Sequence, residues 1–156
     1  MGDAGASALA TALGQGAMPR LKTLYLYSTA IGDAGLVALA PALRRLPALE
    51  HLDLTDNPFG DEGLAALVAP LPLPSSAPPP LTKLRVLDLE HTQVSDAGCA
   101  TLAAALNSGV LPALARLDLD GTPASDAVKV GLQRAVARQR LSQCPVTATL
   151  MLGDYY

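Results

Sequence analysis

Two motifs recur along this chain in one shared phase, and that recurrence limits its folds more than any other feature. The pattern L-x-x-L-x-L starts at 21, 49, 84 and 114. A second pattern, Gly/Ser-Asp-x-Gly, follows it each time: Gly-Asp-Ala-Gly at 32–35, Gly-Asp-Glu-Gly at 60–63 and Ser-Asp-Ala-Gly at 95–98, with Ser-Asp-Ala-Val at 125–128. An extra Gly-Asp-Ala-Gly at 2–5 precedes the first leucine motif. Two independent landmarks that keep step describe one supersecondary unit copied several times. Such a unit cannot bury its apolar face alone and must stack on its neighbours.

Each part of the unit has a physical reading. L-x-L alternates with period 2, so it predicts a short strand with its leucines on one face. Downstream, Leu36, Leu39, Leu43 and Leu46, or Cys99, Leu102 and Leu106, fall at helical spacing. Glycine or serine at the cap frees the turn, and the Asp after it is expected to face the positive helix terminus. Composition agrees with this plan. The chain has 30 Leu, 28 Ala and a single Ile, with aromatics at 3%. Leucine supplies repeated core layers, and alanine lets parallel helices pack closely.

The ninth position of the four units holds Thr29, Asn57, Thr92 and Thr122. With it the unit resembles the leucine-rich repeats of the ribonuclease-inhibitor-like class, whose units of 28–30 residues carry a full helix. The resemblance implies a single domain over 1–156 with an α/β fold. That fold is a right-handed leucine-rich-repeat solenoid, a horseshoe segment with a short parallel sheet on the concave face and helices on the convex face. The class prefers Asn or Cys at the ninth position, where the side chain bonds the adjacent turn. Threonine offers one hydroxyl in its place, which predicts a weaker turn ladder here.

The ends and one insertion depart from the pattern. A helix is expected over 3–14 with no strand before it, and a degenerate fifth strand over 147–152. Solenoids need polar capping units, and the sequence suggests none at either end. The chain is then either a piece of a longer array, the favoured expectation, or one whose terminal segments improvise caps; uncapped ends would invite end-to-end self-association. The 35-residue spacing between the second and third units contains a proline-rich run at 70–80. Proline lacks the amide donor and cannot continue a helix, so this run predicts a surface loop. Its alternative reading, a polyproline ligand, lacks a basic residue beside a clean P-x-x-P.

Several functions are excluded by what the chain carries. A net charge of −3 argues against nucleic acid as the main partner. Charges and prolines break every apolar run short of a membrane span, and no secretory signal is read at 1–20. Cys99 and Cys144 form neither a disulfide framework nor a metal cluster. Cys99 stands in a core position and Cys144 in a linker. A reducing, cytoplasmic setting follows as the expectation. No phosphate loop, dinucleotide fingerprint or zinc-protease motif is present. No nucleophile is placed beside His51 or His91, so no catalytic residue, metal or cofactor is expected, and both histidines read as solvated surface groups.

Function is therefore sought on the strand face. Seven acids and three bases fall at its outward positions, a net of −4, so the excess negative charge is confined there. Asp53, Asp88 and Asp118 should stack in one column, an unfavourable arrangement for like charges. Tyr25 and Tyr27 lie at one end, and exposed tyrosines are common energetic centres of interfaces. Tyr25, Tyr27, His51, Asp53, Asp56, Asp88, Glu90, Arg116, Asp118 and Asp120 are the candidate partner-binding residues. The competing account of the column is that Asp at this place is simply common in the repeat class. The basic residues Lys129, Arg134, Arg138 and Arg140 are assigned to a solvated face of the last helix. The expected function is a protein–protein interaction module whose partner has a basic surface. The alternative drawn from the resemblance is a fragment of a GTPase-activating protein or of a sensor-type receptor.

Overall fold

The structure is a computed structural model, and it describes residues 2–16, 18–68 and 81–143. The loop expected at 70–80 and the strand expected at 147–152 lie outside the described residues. Helices and strands alternate: α1 (Gly2–Gly14), β1 (Thr23–Tyr25), α2 (Asp33–Arg44), β2 (His51–Asp53), α3 (Asp61–Val68), β3 (Val86–Asp88), α4 (Asp96–Asn107), β4 (Arg116–Asp118) and α5 (Asp126–Gln143). The strands form one parallel sheet in the order β1-β2-β3-β4, and each helix packs on the next. This is the α/β solenoid that the repeat implies.

The register explains why the leucines recur. Leu24, Leu52, Leu87 and Leu117 pair directly across the sheet. Leu52 and Leu87 are fully buried between sheet and helices, as are Leu54 and Leu89 two residues on. Each such side chain contributes about 1.5–3 kcal/mol on leaving water. A ladder that the leucine motif does not announce runs beside them. Ile31, Phe59, Val94 and Ala124, each ten residues after a unit start, are all buried. Leu24, on the edge strand β1, is only partly covered.

The first-turn aspartates act differently from the sequence expectation. They cap the next helix in the stack, not the helix they begin. Asp3 Oδ1 accepts from Gly32 N at 2.8 Å and Gly35 N at 3.2 Å. Asp33 Oδ1 accepts from Gly60 N at 2.8 Å and Gly63 N at 2.9 Å. Asp61 accepts from Ser95 N at 2.7 Å and from the Ser95 hydroxyl, and Asp96 from Ser125 N at 2.6 Å. The reason is lateral: parallel helices bring the free N–H groups of one terminus beside the first turn of its neighbour. Burial works to raise the Asp61 carboxyl, but bonds from Ser95 and the Gly98 N–H outweigh it and hold it below the usual range. The glycine of the motif leaves room for this contact.

The ninth position also works as a ladder, of unequal strength. Asn57 is buried. Its Oδ1 accepts from Thr29 N, the Thr29 hydroxyl and Ile31 N at 3.0–3.2 Å. Its Nδ2 donates to Leu26 O at 2.8 Å and Leu54 O at 2.9 Å. Asn57 thus ties two units together. Thr29, Thr92 and Thr122 each donate to the carbonyl three residues back in their own unit, Leu26, Leu89 and Leu119, at 2.7–2.9 Å.

Beside β4, α5 supplies polar contacts to backbone carbonyls. Lys129 occupies the place of Leu36, Leu64 and Cys99. Its ammonium donates to Thr122 O at 3.2 Å, so it does not belong to a purely solvated face. The Gln139 amide donates to the carbonyls of Leu111 and Leu114. These bonds satisfy backbone carbonyls before and after β4.

Candidate functional site

The outward side chains of the sheet form rows set by its register. Tyr25 pairs with Asp53, Asp53 with Asp88, and Asp88 with Asp118. The expected column of aspartates is therefore real and is headed by a tyrosine. A second row runs beside it. The ladder continues in phase through Ser28 N to Thr55 O, Asp56 N to Glu90 O and His91 N to Asp120 O, at 2.8–2.9 Å. That phase aligns Tyr27, Thr55, Glu90 and Asp120. A third row lies on the other side: Thr23, His51, Val86 and Arg116.

The row of residues after Tyr27 carries the turn. Ser28, Asp56 and His91 have φ between +52° and +56°, and Gly121 has φ +71°. Each unit thus needs the left-handed conformation at its eighth position, where L side chains are strained. Only the fourth unit answers with glycine. A Cβ at Gly121 would also overlap the His91 imidazole, so His91 lies across the Gly121 backbone. Asp56 is exposed there and accepts from the Ser28 hydroxyl at 3.4 Å.

The charges of the face are not all free. His51 Nε2 lies 3.1 Å from Asp88 Oδ2, and its ring meets Tyr25 edge-on at 5.3 Å between centroids. His51 is thus held and half-buried, which corrects its reading as a solvated histidine. His91 is exposed, as expected. Arg116 Nη2 donates to Asp118 Oδ2 at 3.0 Å, and that bond together with the nearby Asp88 keeps the guanidinium firmly protonated. Asp53 Oδ1 accepts from Thr55 N at 3.0 Å. Two of the three carboxylates in the column therefore already face a basic group. Glu90 and Asp120, in the second row, face acids instead.

Glu90 records that crowding. Burial, then Asp118, Asp120 and Asp88 in turn, push its carboxyl above the usual glutamate range. The sign follows from linkage. A raised carboxyl favours the folded state while protonated, and that advantage is lost as pH rises through the folded value. Glu90→Gln is therefore expected to raise Tm at neutral pH and low salt. The gain should vanish below the ordinary glutamate range and shrink with salt. Thermal melts at neutral and acid pH check this, and equal gains at both would contradict it.

Tyr25 and Tyr27 are each 58% exposed. Their rings meet at 68° with centroids 6.5 Å apart, forming an open aromatic corner on β1. Nine of the ten candidate residues thus lie in these three rows, aromatic beside β1 and mostly acidic from β2 to β4, while Asp56 stands in the adjoining turn. Among the described residues no group of three His, Cys, Asp or Glu side chains could hold a metal ion, and no helix is long and apolar enough to cross a membrane. Cys99 is buried, and burial pushes its thiol up, with Asp96 and Asp61 adding to the effect. It belongs to the core as expected.

With that geometry in hand, the comparison with known families is specific. The family described as leucine-rich repeat matches residues 18–40, 46–68 and 81–103. These stretches contain the first three leucine motifs, all of α3 and the first part of α2 and α4. No curated protein matches the chain.

Proposed function

On the premise that the chain carries leucine-rich repeats, which generally mediate protein–protein interaction, we propose that its sheet face binds a protein partner with a basic surface. The observation that carries this reading is the concentration of carboxylates on one face, with the Glu90 carboxyl raised by burial and then by Asp118, Asp120 and Asp88. Like charges crowded on adjacent strands cost free energy in the isolated protein. A basic partner relieves that cost on binding, so the unfavourable arrangement becomes a source of affinity and of faster association. The contacts already made within the face support a ranking of its acids. Asp88 already lies in hydrogen-bond contact with His51 and Asp118 already accepts from Arg116, so in this reading Asp53, Glu90 and Asp120 carry the larger part. The repeat length, with a full helix in each unit, supports placement in the ribonuclease-inhibitor-like class.

The test uses a fluorescein-labelled oligo-lysine as a probe of the face. It should bind the protein at low salt and lose affinity as salt is raised. The triple variant Asp53→Asn, Glu90→Gln, Asp120→Asn should bind roughly tenfold more weakly than the parent, with its fold retained by circular dichroism. The set Asp53→Asn, Asp88→Asn, Asp118→Asn should lose less, because two of its members have basic neighbours. Unchanged binding in both variants rejects the face.

A further inference from the structure

We propose that the segment of the partner seated on this face is a basic α-helix, laid across the four strands with one cationic side chain per turn and its first anchor in the Tyr25–Tyr27 corner. The proposal rests on the reading of the sheet face as the docking surface and names what docks there. Its basis is a match of spacings. Neighbouring strands are about 4.8 Å apart, so the row Tyr25, Asp53, Asp88 and Asp118 presents one group at each such step. A helix advances about 5.4 Å per turn. Over three steps the two scales drift apart by about 2 Å, which long lysine and arginine side chains absorb. An extended chain fits worse. Its same-side residues recur every 6.6–6.8 Å or so, and after one step they fall between strands.

Width points the same way. The second row, Tyr27, Thr55, Glu90 and Asp120, lies two residues along the strands from the first, about 6.7 Å. A helix is about 10–12 Å across with its side chains and covers both rows together. Its cations then have alternatives at each strand. On β3 the Asp88 carboxylate is engaged by His51, while the charged neighbours of Glu90 are the carboxylates of Asp118, Asp120 and Asp88. On β4 the Asp118 carboxylate is engaged by Arg116 while Asp120 is not. The order along the partner follows: an arginine at i on the aromatic corner, then basic residues at i+4, i+7 and i+11 over Asp53, Glu90 and Asp120. Arginine suits the first place because its planar guanidinium stacks on a ring face and still donates to a neighbouring carboxylate. Asp53 is that carboxylate, being the register partner of Tyr25.

Two synthetic peptides of one composition test this, each of about sixteen residues on an alanine–glutamine background that favours helix. In one, four arginines occupy i, i+4, i+7 and i+11. In the other, the same arginines are spread around the helix circumference. The striped peptide should bind roughly tenfold more tightly, and Tyr25→Ala with Tyr27→Ala should weaken it roughly fivefold. The double change to Phe should leave that affinity in place, since the ring faces remain. Equal binding of both peptides overturns the helix while leaving the acidic face standing. Binding of neither, with the oligo-lysine also failing, removes both. Full affinity in the Tyr→Ala variant overturns the anchor.

Discussion

Asn57→Ala is expected to be the most damaging polar substitution in the described structure, costing about 3–5 kcal/mol. The amide joins the first two units through Thr29, Ile31, Leu26 and Leu54. Removing it strands the Ile31 N–H and the Leu54 carbonyl in a buried turn, while the Leu26 carbonyl keeps the Thr29 hydroxyl. Each orphaned buried group costs about 1–3 kcal/mol, and a domain of this size has only about 5–15 kcal/mol to lose. Asn57→Thr should cost less, about 1–2 kcal/mol. A threonine can bond back to Leu54 O, as Thr92 does to Leu89 O, but it cannot reach the preceding unit. Urea unfolding of the three proteins gives the ranking. A loss below about 1 kcal/mol for Asn57→Ala, or a Thr variant no better than Ala, would show that the ladder does not hold these units together.

The contrast between Asn57 and the three threonines was legible before any coordinates, because side-chain bonding capacity is a property of residue type. The strands were legible for a related reason. A period of 2 in leucine, repeated in phase with a glycine–aspartate turn, leaves one way to stack. The direction of the aspartate bonds was not. Local sequence shows an Asp beside the helix that follows it, while its partners lie 27–34 residues away, where only the stacking distance of parallel helices decides. The state of His51 was hidden in the same way. Its neighbours Tyr25 and Asp88 come from strands on either side. Lys129 was read as a surface charge because helix periodicity alone does not mark the layer where one stack of leucines gives way to a polar one. The candidate face itself needed only the alternation of the strands. Which of its acids already had a hydrogen-bonding neighbour needed the His51–Asp88 contact between strands and the Arg116–Asp118 contact along β4.

The interlocking of aspartate and glycine makes a prediction whose sign depends on position. In an ordinary helix interior, Gly→Ala stabilises by about 0.5–1 kcal/mol. Gly131→Ala in α5 should do this, since nothing lies within 4 Å of the added Cβ. Gly98→Ala should instead destabilise by about 1–3 kcal/mol. Its Cβ would overlap Asp61 Oδ1 and crowd Val94, driving the carboxylate off the Gly98 and Ser95 N–H groups that it caps. The fourth unit shows what accommodation looks like. Val128 stands at the glycine place there, and Asp96 bonds Ser125 N. A double-mutant cycle isolates the cause. In an Asp61→Ala background the first-named obstruction is gone, so Gly98→Ala should lose most of its penalty, a coupling of about 1 kcal/mol or more. Additive effects would mean that the glycine is required by Val94 or by the backbone, and that the aspartate cap tolerates a side chain beside it.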